Sequence, residues 1–86
     1  MIQSLSEPIS VQFVFDHKLK QTKPQKILWR NKSYSINKVG LHHTYYEGKN
    51  LQHIFSVCTD QLFFRLRLDS LTLFWTLEEI SDGLPE

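Results

Sequence analysis

The stretch LQHIFSVCTDQLFFRLRLDSLTLFWTL, residues 51–77, decides how the whole chain is read. Leu51, His53, Phe55 and Val57 recur at every second position, as do Leu62, Phe64, Leu66 and Leu68, then Leu73, Trp75 and Leu77. Period two marks strands with one apolar face, because successive side chains leave a pleated backbone on opposite sides. A tight turn at Thr59-Asp60 sets Val57 against Leu62, Phe55 against Phe64, His53 against Leu66 and Leu51 against Leu68. A second turn, Asp69-Ser70-Leu71-Thr72, sets Leu68 against Leu73, Leu66 against Trp75 and Phe64 against Leu77. Two independent turns therefore choose the same face for three strands. A slip of one residue at either would put a strand's apolar set into water.

The same period extends toward the N-terminus. Ile9, Val11, Phe13 and Phe15 alternate with Ser10, Gln12, Val14 and Asp16, and Ile27 and Trp29 lead to Asn31-Lys32, where a two-residue hairpin turn fits. That turn places Trp29 opposite Tyr34 and Ile27 opposite Ile36. Parity then changes between Ile36 and Val39, which predicts a β-bulge in the Asn37–Gly40 region. The expectation is a single domain over 1–86, with strands at 9–16, 25–31, 33–46, 51–58, 61–68 and 73–80 and a basic loop at 17–24. A helical turn ending at Gly83 is a candidate terminus. Six short strands with one apolar face must curl to keep that face dry. The fold class is all-β, a single antiparallel meander rolled into a small barrel or half-barrel.

Composition agrees with one small core. The 86 residues are 41% hydrophobic and 13% aromatic, which excludes a disordered chain, and no apolar run is long enough to span a membrane. The first ten residues lack a basic start and contain Glu7 and Pro8, unlike a signal peptide. The single cysteine, Cys58, cannot form an internal disulfide and points to a cytoplasmic setting. Net charge is +1, but seven Lys and Arg face two acids up to His43, and three face seven afterwards. The halves carry +5 and −4, so the N-terminal half can present a basic patch to a polyanion.

Chemistry is sparse. His42 and His43 are adjacent in a strand and point to opposite faces, although one of them lies diagonal to His53 across the hairpin. Cys58 is on the face opposite His53, so neither a zinc site nor a Cys–His nucleophile pair assembles. Glu78 and Glu79 also split between faces, and no glycine-rich phosphate loop occurs. No metal, cofactor or catalytic residue is expected, and the protein reads as a non-enzyme.

Two binding readings follow. The outward face carries Ile54, Phe63 and Phe74 with Arg65 and Arg67, Arg67 lying across from Phe74. A contiguous patch of this kind would make the domain a protein-interaction module, docking a partner or a second copy. Face-to-face packing of Phe63 and Phe74 is the expected route to a homodimer. Alternatively, Lys26, Arg30, Lys32 and Lys38, with Tyr46 facing outward, would hold a nucleic-acid single strand.

Ile27-Leu28-Trp29-Arg30, Tyr34, Ile36 and Val39, with Phe64-Arg65-Leu66, Asp69, Trp75 and Leu77, resemble a small bacterial β-domain family of unknown function. Members occur alone or appended to polymerase-like proteins of the translesion type. The resemblance spans roughly residues 24 to 82. It departs in the His42–Tyr46 segment and the strand at Ile9–Phe15. It implies a bacterial cytoplasmic β-domain and carries no activity, though it favours association with nucleic acid by analogy.

Overall fold

The computed structural model describes residues 2–60 and 62–82. Seven strands follow one another: β1 (Ile2–Asp16), β2 (Gln21–Trp29), β3 (Lys32–Ser35), β4 (Lys38–Glu47), β5 (Asn50–Cys58), β6 (Phe63–Asp69) and β7 (Trp75–Ser81). They form a single antiparallel sheet in the order β3-β2-β1-β7-β6-β5-β4. All neighbours but β1 and β7 are consecutive in sequence. The two edge strands, β3 and β4, are themselves consecutive and joined by Ile36-Asn37 alone.

That link forces the curl. A flat sheet of this order would hold its edges about 29 Å apart, six spacings of about 4.8 Å. The three steps from Ser35 to Lys38 reach at most about 11 Å. The sheet therefore rolls into a half-barrel. The bend falls in β1, whose residues 2–9 pair with β7 and whose residues 10–16 pair with β2. A strand that leaves one part of a sheet for another is how orthogonally packed β-structures turn corners.

Antiparallel pairing all round the sheet also means that β3 and β4 run in the same direction. They are one bent path: its first part pairs with β2 and its second with β5. The strand expected at 33–46 is therefore two, and the path is broken where it changes partner. The bulge is present, between Val39 and Leu41. Two other expectations are corrected. The basic loop at 17–24 shrinks to a turn before Gln21, because Gln21–Pro24 belongs to β2. The last strand continues to Ser81 instead of ending in a helical turn, and Gly83 lies outside the described residues.

The β2–β3, β5–β6 and β6–β7 hairpins are shifted by two residues from the register read in the sequence. Faces are preserved as far as a bulge beyond Leu77, where Phe64 meets Ile80 instead of Leu77 and Glu78 and Glu79 both reach Arg65. Ile27 opposes Tyr34 and Trp29 opposes Lys32, so the turn is Arg30-Asn31. Both turn residues have positive φ, 52° and 62°, as the hairpin turn whose twist matches the strands requires. Val57 opposes Phe64, Phe55 opposes Leu66 and His53 opposes Leu68. Their loop closes through a Thr59 N–H bond to the Leu62 carbonyl at 2.9 Å, and Gln61 within it lies outside the described residues. Leu68 opposes Trp75 and Leu66 opposes Leu77. There the Asp69 carboxylate accepts from the Leu71 and Thr72 N–H groups at 2.8 and 3.2 Å, and Leu73 takes φ 63°. A two-residue slip leaves the pleat unchanged, so local turn chemistry selects the register.

The inner face holds one core of Ile27, Phe55, Val57, Phe64, Leu66, Leu68, Trp75 and Leu77. The curl brings Trp29 and Tyr34 edge-on to Phe64, with ring centroids 6.3 and 5.3 Å away. Phe55 and Phe13 both lie 5.6 Å from Trp75. Trp75 Nε1 is buried and finds no hydrogen-bond partner among the described residues.

Candidate functional site

Where β3 gives way to β4, the barrel fails to close. Ile36 N–H still bonds the Gln25 carbonyl at 2.9 Å, while Asn37 N–H already bonds the Cys58 carbonyl at 2.8 Å. Past that point β4 follows β5 and diverges from β2. A cleft of about 460 Å³ opens between Gln21–Gln25 and Ile36–His42. Phe55, Ile36 and Val39 give it apolar walls, and the exposed Lys23 and Lys38 stand at its sides.

β4 is exposed along almost its entire length. Among the described residues it has one strand neighbour, β5. Its hairpin turns at Gly48-Lys49, with Gly48 at φ 62°, and closes on the Glu47–Asn50 pair. Antiparallel pairs alternate between exchanging and not exchanging backbone bonds. Tyr45–Gln52 and His43–Ile54 therefore bond across the hairpin, and the N–H and C=O groups of His42, Thr44 and Tyr46 point away from β5. The segment Val39–Tyr46 contains no Pro and no Lys, Arg, Asp or Glu, and Tyr46 is 71% exposed. Long edges of this kind are templates for another strand.

His42 is the histidine that reaches His53. Its Nε2 lies 2.9 Å from His53 Nδ1, and its ring stacks on Phe55 at 4.2 Å and 8°. Burial holds the His42 pKa below the usual imidazole range, and the charges of His53 and His43 push the same way. One nitrogen of the pair donates to the other, so His53 Nδ1 is partnered by an imidazole. Among the described residues no three His, Cys, Asp or Glu side chains gather in a metal-binding group.

The expected outer patch does not assemble. Ile54 is only 1% exposed. Its register neighbours are His43 and Arg67, and the Arg67 guanidinium extends to Tyr45 and Glu78, so long polar side chains close over it. Phe63 and Phe74 are 48% and 73% exposed but sit at opposite ends of β6, Phe63 beside Cys58 and Ser81 and Phe74 beyond Leu68. Arg67 faces Thr76 instead of Phe74. Arg65 lies 3.3 Å from both Glu78 and Glu79, and Arg67 lies 3.5 Å from Glu78. These arginines complete a charged lattice within the chain.

The basic residues also disperse. Lys26 shares the outer face with Leu28, Lys38 flanks the cleft, and Lys32 sits 5.6 Å over the Tyr34 ring. Arg30 stacks 4.6 Å over Trp29 and pairs with Glu7 at 2.8 Å. Arg30, with the Trp29 indole N–H, holds the Glu7 carboxyl below the usual carboxylate range. Trp29 and Tyr34 belong to the core margin, and Tyr46, expected on the outer face, lies on the same side of β4 as His42, exposed because the core stops short of it.

Two features had no signal in the sequence. Glu7 meets Arg30 across 23 residues through the β1–β2 pairing. A groove of about 530 Å³ forms where β1 leaves β7, lined by Phe13, Phe74 and Trp75. No helix among the described residues is long and apolar enough to cross a membrane. No family model, curated protein or solved structure matches the chain.

Proposed function

We propose that this domain is a protein-interaction module that docks an extended polypeptide segment along β4, at the open seam of the half-barrel. The observation that carries the reading is the bare β4 edge, with the outward backbone groups of His42, Thr44 and Tyr46 beside an apolar-floored cleft. Sheet extension draws affinity from main-chain hydrogen bonds and specificity from alternate side chains. The interface therefore moves from the Ile54, Phe63 and Phe74 face to the edge. A reducing cytoplasm suits this reading, since Cys58 is a free thiol.

Nucleic-acid binding through Lys26, Arg30, Lys32 and Lys38 is the competing reading. Arg30 is engaged by Glu7, and the aromatics beside it pack inward, so the stacking platform such binding needs is incomplete. Peptides selected by display against the immobilised protein test the proposal. Binders should protect the amides of His42, Thr44 and Tyr46 from hydrogen exchange and lose affinity on Thr44→Pro, which removes an outward N–H. If the protein instead binds a single-stranded oligonucleotide with steep salt dependence and selects no edge-binding peptide, the interaction-module reading is wrong.

A further inference from the structure

Resting on that reading of the edge, we propose that the segment β4 receives is the β4 of a second copy of this chain, laid antiparallel about a two-fold axis at His43. The strand is complementary to itself in charge. Its only formally charged residues are at its ends, Lys38 and Glu47, and they are of opposite sign. An antiparallel pair brings Lys38 of each copy to Glu47 of the other, whereas a parallel pair would align like charges. Both residues are exposed, and both belong to the outer face, since the core-facing Val39 neighbours Lys38 and Glu47 is an odd number of residues from inward-facing His42.

The backbone allows this register. A two-fold at His43 opposes His42 to Thr44, both with outward N–H and C=O groups, and Leu41 to Tyr45. The extra residue at Gly40 then shifts the count by one. Val39 comes opposite Tyr46 and Lys38 opposite Glu47, inner face to inner face and outer to outer. The tip of each β4–β5 hairpin thereby reaches the other copy's cleft, with Glu47 arriving between Lys38 and Lys23. The other terminal strand of the sheet, β3, and the β2 segment it leaves open are poorly suited to this. β3 has four residues, and the part of β2 beyond β3 contains Pro24 and Lys23, which discourage strand addition.

Sedimentation equilibrium over a concentration series tests the pairing. The wild type should show a monomer–dimer equilibrium. Lys38→Glu and Glu47→Lys should each raise the dimer Kd about tenfold, because each converts two attractive cross-strand pairs into repulsive ones. An equimolar mixture of the two single variants should dimerise like the wild type, since each then supplies the charge the other lacks. The double variant Lys38→Glu/Glu47→Lys should recover likewise. Both substitutions are at exposed positions, and circular dichroism confirms that each variant is folded. A wild type that stays monomeric at all accessible concentrations overturns the proposal, as does a dimer indifferent to both single substitutions, or single variants that mixing does not rescue. Display-selected peptides that still protect His42, Thr44 and Tyr46 on a monomeric wild type would overturn only the second copy. Their failure as well would sink the edge itself.

Discussion

The two edges of this sheet, β3 and β4, are consecutive in sequence and run in the same direction, yet they have opposite fates. β3 is four residues long, begins at a tight turn, and is held down by Tyr34 on Phe64. β4 is ten residues long and exposed on both faces, and it diverges from β2 to leave a cleft. The difference comes from where the core stops. Phe64 and Phe55 lie under the β2–β3 side and the beginning of β4, and past His42 the inner side chains are Thr44 and Tyr46, which cannot draw another element over them. An edge is covered when apolar side chains reach inward from it; one without them stays available.

The largest effect should come from removing what holds the covered edge. Phe64→Ala deletes the ring against which Trp29 and Tyr34 pack, and denaturant unfolding should show a loss of about 3–5 kcal/mol. A loss under about 1 kcal/mol would mean that the two sides of the half-barrel do not lean on each other. Next comes a pair of prolines one residue apart on the open edge. Tyr45→Pro removes an N–H that bonds Gln52 and should cost about 1–3 kcal/mol, whereas Thr44→Pro removes an outward N–H and should cost less than about 1 kcal/mol. Equal costs would contradict the assignment of which groups face outward.

The smallest effect concerns the inner side of the β4–β5 hairpin. The folded pKa of His42 is below its unfolded value, so the unfolded chain binds the extra proton first. Stability is therefore fully present above about pH 6.5 and falls as pH drops from there toward the folded pKa. Replacing His42 with Phe, which keeps a flat ring on Phe55, should flatten the pH dependence of the melting temperature across that window. A profile identical to that of the wild type would remove His42 from the account.

Much of this architecture is visible in residues 51–77. Alternation alone orders β5, β6 and β7 and assigns Phe55, Val57, Phe64, Leu66, Leu68, Trp75 and Leu77 to one face, where the core holds them. A bulge near Gly40 is expected from the parity change between Ile36 and Val39, but both of these face inward across the β3–β4 link, and the bulge lies after Val39, where it turns Leu41 outward and His42 inward. The site was less legible. Ile54 reads as an outward residue, and it is one. Whether long side chains close over an outward residue depends on Tyr45, Arg67 and Glu78, which come from three different strands. Phe63 and Phe74 share an outward parity, but even a register that sets Phe74 across from Arg67 leaves it four residues of β6 away from Phe63.

The sequence by itself therefore determined which residues of β5, β6 and the first part of β7 face inward, since the pleat has period two and burying the wrong face would expose a whole strand to water. Past the bulges in β4 and β7 the faces differ from that count. It could not choose between registers two residues apart, which bury the same side chains. Turn geometry made that choice, with Arg30, Asn31 and Leu73 adopting positive φ. Only the tertiary structure decided that β1 pairs with β7 and that β3 and β4 become the two edges. Those pairings join residues more than 60 positions apart, and they are selected by how seven strands can close over one core when only two residues join the edges. The open β4 edge is what that closure leaves over.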